Sequence, residues 1–509
     1  MSLAQHLIGT GRITKQDLVT YCHSLAVAGE EQWGLNAFTR LHSRDFILEQ
    51  AEKEGPLAGM PISIKANLAV RETPLTASSK MLATDTACGY DAEVVRKLKD
   101  MGAVVIGITQ MDEFGMGSLG TNLGEGNGGL TKNPLPYLAS VTRTPDQWMK
   151  EIKKPHDTIL DDHVTTDEVE LWYAGGSSCG SAASVAHGSS MLSVASDTGG
   201  SIRLPAAWCG ITGFKPSYGS LSRKGLVSYA SSLDTVGFIA PSAECVAIVM
   251  ENLACAQQAD ITDSTMTSKK TDTSNSNESS NFRVGIPSAF SVEDCPIEIQ
   301  DAWTDAARGL EQSGATLVEI PSETISSDLI RTSLAAYYII ASAEASSNLS
   351  RYDGLRFGLG LSTDGTKHTM DELSLLERQY AATRSVGFGQ EVLRRMLSGT
   401  SVLSSDRFHT HYEAASRIRA VVTKQMRHAL ETVDVLLTPT CLSMPNTTNI
   451  GLANDVLTVP VSLACLPAIS IPFLIGTGAP VGLQIVGSSD DKVLEVAMAL
   501  QHRRSTFSR

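Results

Sequence analysis

GGSSCGSAA at residues 175–183, followed by SDTGGSIRLPAAWCG at 196–210, decides how this chain is read. A glycine pair directly before a serine lets successive backbone N–H groups turn toward one point. That arrangement can hold the oxyanion formed when a serine hydroxyl attacks a carbonyl. Upstream, PISIKAN at 61–67 puts Lys65 behind an apolar leader that reads as a strand entering the interior. Serine is a weak nucleophile until a base takes its proton. None of the eleven histidines falls inside the two glycine-serine segments, and His187 reads as a satisfied or solvent-facing side chain on a helix. Lys65 is the alternative base for Ser201, because a serine–lysine pair is a variant of the nucleophile–base arrangement.

The lysine must then be uncharged. Bringing its pKa from ~10.4 toward 7 requires about 4–5 kcal/mol of destabilisation of the ammonium, which burial without a carboxylate partner supplies. Ala66 offers no countercharge, and Asn67 is available to orient the site by hydrogen bonding. A hydroxyl within 175–181 can relay the proton, since a hydroxyl both donates and accepts. GGSS by itself is linker composition, but the small-residue run after it, SAASVAHGSSMLSVAS (181–196), reads as a helix packed tightly in a core.

Outward from these segments the pattern is α/β. Short buried-strand candidates stand at 103–109, 282–287, 315–321, 433–439 and 467–473, separated by helical stretches such as 91–102, 297–313 and 405–432. Strands punctuated by helices favour one large mixed sheet covered by helices on both faces. The chain opens with a helix over KQDLVTYC, with Thr14 as its N-cap. At 509 residues it exceeds the roughly 250–300 at which one core usually stops growing, yet a large α/β sheet can organise it as a single domain, 1–509. Two segments read as insertions: a polar stretch at 135–172 with a short helix at 145–154, and 259–281, which is too poor in large apolar side chains to bury itself.

Composition narrows the function. A net charge of −14 suits the gripping of phosphate backbones poorly, so any nucleic-acid contact belongs more naturally to a partner. No apolar run reaches the ~18–20 residues of a membrane span, and the N-terminus shows no targeting segment. Nine scattered cysteines without a C-x-x-C pair read as reduced, mostly buried thiols.

PISIKAN, GGSSCGSAA and SDTGGSIRLPAAWCGITGFKPSYG together closely resemble the amidase signature family, whose members use a Ser–cis-Ser–Lys triad. The resemblance implies the amidase signature fold, with Lys65 as base, Ser177 as relay serine after a cis peptide bond, and Ser201 as acylated nucleophile. Ser177 and Ser201 stand 24 residues apart, the family's interval. It also implies an oxyanion hole from the backbone amides of Thr198, Gly199 and Gly200, joined by that of Ser201. Four further stretches, at 111–118, 335–358, 387–400 and 452–472, resemble the branch formed by the A subunits of glutamyl-tRNA(Gln) amidotransferases.

That branch implies glutamine binding by Tyr337, Arg395 and Asp455. A guanidinium fork suits the α-carboxylate and an aspartate suits the α-ammonium. The alternative for Arg395, beside Arg394 on a helix, is a surface ion pair. The branch further implies amidotransferase B and C subunits as partners in a heterotrimer. ATP and magnesium are used by the partner, and no metal or cofactor is held by this chain; no P-loop is present. The expected location is mitochondrial or plastid in a eukaryote and cytoplasmic in a bacterium. A freestanding hydrolase of another small amide, and a catalytically idle scaffold, stand as alternatives. Cys179 departs from the family's glycine, so a side chain must fit beside the relay serine.

Overall fold

The computed structural model describes residues 8–124, 129–138, 170–255, 263, 266, 282–361, 373–445, 452–474 and 479–507. The expected insertion at 135–172, with its short helix at 145–154, lies outside them except for 135–138 and 170–172. The expected loop at 259–281 lies outside them except for Asp263 and Met266.

The first long helix, Lys15–Glu31, starts where a capping box can form. Thr14 Oγ1 accepts from the Asp17 N–H at 3.0 Å, and the Asp17 carboxylate accepts from the Thr14 N–H at 2.8 Å. The strands are β1 (Phe38–Leu41), β2 (Pro61–Lys65), β3 (Val104–Thr109), β4 (Leu192–Asp197), β5 (Thr212–Lys215) and β6 (Thr235–Ala240). They continue with β7 (Arg283–Pro287), β8 (Thr316–Ile320), β9 (Val435–Pro439), β10 (Ala468–Leu474) and β11 (Pro480–Gly487). All eleven join one sheet in the order β1-β3-β2-β4-β6-β5-β10-β11-β9-β7-β8.

The sheet is mixed, as the sequence predicts. β3, β2 and β4 run parallel to one another, as do β8, β7 and β9, while the pairings between these groups are antiparallel. The interior strands β2 to β6, β9 and β11 are buried at every position, so they read as apolar runs rather than alternating ones. The edge strands β1 and β8 keep exposed positions. The five strand candidates correspond to β3, β7, β8, β9 and β10. All nine cysteines are free thiols and six of them are buried. Among the described residues no helix is long and apolar enough to cross a membrane.

One expectation is corrected. The run 181–196 is not a single helix: the helix Cys179–His187 stops at Gly188, whose φ of 86° is left-handed, and the chain returns as β4. The small side chains do pack the helix tightly, but against strands and through hydroxyls. Thr109 and Ser181 oxygens lie 2.8 Å apart, Ser63 and Ser184 lie 3.1 Å apart, and Ser190 sits 3.0 Å from Ser184. These buried hydroxyls satisfy one another.

The sheet register brings the key segments together. Ile64 of β2 pairs with Val194 of β4, and Asp197 at the end of β4 pairs with Thr235 at the start of β6. Lys65, Ser196 and Asp234 therefore emerge at the same edge of three neighbouring strands.

Candidate active site

Lys65 is the last residue of β2 and is fully buried. Its Nζ lies 2.9 Å from Ser177 Oγ, 3.1 Å from Ser196 Oγ and 3.3 Å from the Ser196 carbonyl oxygen. Burial pushes its pKa down to about 8, partly offset by Cys179, Asp112, Asp197 and Asp234. This is the direction a lysine base requires. A neutral amine has two N–H bonds and one lone pair. Ser196 offers two acceptors, its hydroxyl and its carbonyl, which leaves the lone pair for the Ser177 hydroxyl. Asn67 Nδ2 donates to Ser196 Oγ at 2.9 Å, so Asn67 does orient the site, through Ser196. Replacing Ser196 with alanine is expected to lower kcat about three- to tenfold, the worth of one hydrogen bond, with KM little changed and threonine restoring the rate. Steady-state kinetics of the two variants check this.

Ser177 follows a cis peptide bond from Gly176, as the family resemblance implies. Its loop is tied to the nucleophile's loop because the Ser178 N–H donates to the Ser201 carbonyl at 3.2 Å. Asp112, buried beneath, accepts from the N–H groups of Gly120 and Asn122 at 3.2 and 2.9 Å. The buried Cys179 side chain packs in an apolar cluster against Gly120, where a Cβ would sit 2.6 Å from the Cys179 Cβ, and its sulfur accepts from the Thr131 hydroxyl at 3.3 Å. That is how a side chain fits where the family has glycine. His187 has no part in this cluster. Its Nδ1 pairs with Ser189 Oγ at 2.6 Å and its ring meets the edge of Trp33.

The turn Thr198–Gly199–Gly200–Ser201 connects β4 to the helix Arg203–Trp208. Asp197 holds it from behind by accepting the Ile202 N–H at 3.1 Å and pairing with the buried Arg203 at 2.9 Å. Arg203 also reaches the Thr458 carbonyl, Gln484 and Ser462. Among the described residues, no acceptor takes the N–H groups of Gly199, Gly200 or Ser201. Gly199 is required by contact: a Cβ there would lie 2.6 Å from the Tyr337 hydroxyl.

Gly199, Gly200 and Ser201 line a cleft with Gly115, Gly117, Ser118, Tyr337, Tyr338, Arg395 and Asp455. All three candidate glutamine-binding residues thus face the candidate nucleophile. Arg395 is buried, unlike its neighbour Arg394, whose exposed side chain pairs with Glu391 as an ordinary surface ion pair. Arg395 Nε also donates to Glu391 at 2.8 Å. Its Nη1 donates to the Tyr229 hydroxyl at 2.7 Å, and the guanidinium stands 4.7 Å from the Tyr338 ring centre. Asp455 accepts from the Ser118 hydroxyl at 2.7 Å. Burial pushes the Asp455 carboxyl up to about 6, against the pull of Ser118 and Arg395. Ser118, Ser196, Tyr229, Asp234 and Tyr338 are site components that sequence reasoning does not single out. Among the described residues no group of three or more His, Cys, Asp or Glu side chains is placed to hold a metal ion.

Residues 37–137 and 169–494 match the family model described as Amidase. The chain belongs to the amidase family. This amidase is 38% identical over 466 residues to the A subunit of glutamyl-tRNA(Gln) amidotransferase from Pseudothermotoga lettingae, covering 89% of this chain and 88% of that one. It is 38% identical over 481 residues to the protein of the same name from Legionella pneumophila (strain Corby), covering 91% and 89%. Among solved structures, the A subunit of glutamyl-tRNA(Gln) amidotransferase from Thermotoga maritima matches the amidase with a TM-score of 0.71 at 30% identity. That match covers 96% of this chain and 91% of that chain. A bacterial aryl acylamidase of the amidase signature enzymes shares the fold, with a TM-score of 0.73 at 19% identity over 98% of this chain and 94% of that one.

Proposed function

We propose that this amidase is the glutamine-hydrolysing A subunit of a glutamyl-tRNA(Gln) amidotransferase. The observation that supports it best is a cleft in which Ser201 faces a buried arginine, Arg395, and a buried aspartate, Asp455, together. Those two charges complement the α-carboxylate and α-ammonium of a free amino acid, and the names of the relatives point to glutamine. The side-chain amide of glutamine lies over Ser201. Lys65 takes the Ser177 proton while Ser177 takes that of Ser201, and the Ser201 oxygen bonds to the amide carbon. The tetrahedral oxyanion is held by the N–H groups of the 198–201 turn. The proton returns along the same path to the leaving nitrogen, the C–N bond breaks, and ammonia departs from a glutamyl ester on Ser201. Water then attacks the ester and releases glutamate.

The ammonia is consumed by a partner B subunit that activates Glu-tRNA(Gln) with ATP and magnesium, braced by a small C subunit. Co-expression with candidate B and C subunits, followed by glutamine-dependent amidation of charged tRNA, tests this reading. Arg395→Ala is expected to abolish selectivity for glutamine over a primary amide lacking the α-carboxylate. An Arg395→Ala variant with undiminished glutamine turnover would favour a freestanding hydrolase of another small amide.

The pH dependence follows from two deprotonations. Asp455, with its pKa raised to about 6, must be ionised to hold an ammonium. Lys65, with its pKa lowered to about 8, must be neutral to accept a proton. Both lose their protons as pH rises, so kcat/KM for glutamine climbs through pH 6 and again toward 8. A profile flat across that interval contradicts the assignment of both groups.

A further inference from the structure

Asp234 is buried one residue before β6, and its two oxygens are divided between the two halves of the cleft. Oδ1 accepts from the Thr198 hydroxyl at 2.7 Å. Oδ2 accepts from the N–H groups of Tyr229 and Ala230 at 2.9 and 3.0 Å. Thr198 opens the turn that presents Gly199, Gly200 and Ser201, whereas the Tyr229 hydroxyl receives the Arg395 guanidinium at 2.7 Å. One rigid carboxylate therefore joins the arginine that faces the substrate to the turn that faces the reacting carbonyl.

We propose that Asp234 is a positioning residue that couples engagement of the substrate carboxylate by Arg395 to the shape of the oxyanion turn. This rests on the glutaminase reading above and deepens it. A buried carboxylate with three donors is a preorganised joint, and a shift imposed on one donor is felt at the others. The substrate carboxylate then raises kcat as well as affinity, since binding energy from a non-reacting group is used at the reacting centre. The Asp455 side meets the turn by a separate route: the Thr458 hydroxyl donates to the Gly199 carbonyl at 2.6 Å and to the Asp455 carbonyl at 3.1 Å, while Ser118 and Tyr338, the hydroxyl partners of the Asp455 carboxylate, bond neither Asp234 nor Thr198 among the described residues. Tyr229 also hydrogen-bonds Tyr337, so a test must cut the link at Thr198 itself.

The test is a mutant cycle on the full-length chain with its partner subunits, read as glutamine hydrolysis. Thr198→Val and Tyr229→Phe each delete one hydroxyl and leave the backbone donors of Asp234 in place, so the fold is spared. Thr198→Val is expected to lower kcat about tenfold with KM within about twofold. Tyr229→Phe lowers kcat/KM, and the double variant loses clearly less than the product of the two single losses. Thr198→Ser restores most of the rate. Multiplicative losses for Thr198→Val with Tyr229→Phe, or no rescue by serine, would each overturn the coupling. Ser201→Ala separates the two levels. Residual turnover in that variant removes the underlying site reading, whereas an inactive Ser201→Ala beside a multiplicative cycle removes the coupling alone.

Discussion

Lys65→Ala and Ser201→Ala are each expected to lower kcat for glutamine by on the order of 10⁴ to 10⁶, and the double variant by no more than the worse single one. The two side chains act as one proton-transfer unit through Ser177, so once either is gone nothing remains for the other to contribute. The geometry supports a unit rather than two independent groups. Lys65 Nζ is 2.9 Å from Ser177 Oγ, and the Ser177 and Ser201 loops are hydrogen-bonded to each other. Folding should be untouched in Ser201→Ala, because Ser201 lines the cleft instead of filling the core. Kinetics on the singles and the double decide the matter, with circular dichroism to confirm that the fold is kept. A double variant whose loss equals the product of the singles would mean that lysine and serine work separately.

Asp197→Ala carries the largest expected cost in stability, about 3–5 kcal/mol, because it leaves the fully buried Arg203 without its counter-ion. Burial pushes the Asp197 carboxyl up, but Arg203 outweighs this and holds it below its usual range. For a depressed carboxylate the stabilisation is present above the unfolded-state pKa and disappears as pH falls through the folded-state value. The wild type therefore loses this contribution only in acid below the ordinary aspartate range. Asp197→Ala is weakened at neutral pH, where urea unfolding of the two proteins gives the comparison. A second variant, Asp197→Asn with Arg203→Met, should recover part of the loss, since no charge is left stranded. Equal urea midpoints for wild type and Asp197→Ala would refute the role given to the pair.

The framework of the site is legible in the primary structure for a physical reason. Lys65 stands at the end of a buried strand, and the glycine-rich turn before Ser201 is a local backbone feature, so both show in short windows. The distribution of charge around the substrate is less legible. Ser118 meets Asp455 across 337 residues, and Tyr229 meets Arg395 across 166. Neither serine nor tyrosine carries a composition signal that marks it as a partner. Ser196 is hidden differently: LSVASD continues the small-residue character of the preceding helix, and only the left-handed turn at Gly188 separates helix from strand. The short strands TGFK and TVGFIA are equally quiet, being buried on both faces and lacking the alternation that marks a half-exposed strand.

The placement of Lys65, Ser196 and Asp234 at one edge of three adjoining interior strands bears on how the enzyme should fail. Their separations are set by inter-strand ladders that are among the last to open, while the rim of the sheet, at β1 and β8, is free to fray. Amide hydrogen exchange should show the slowest protons in β2, β4 and β6. Heat inactivation should coincide with global melting instead of preceding it. A chain built this way can vary its periphery and its surface excursions while the spacing of its reacting groups stays the same.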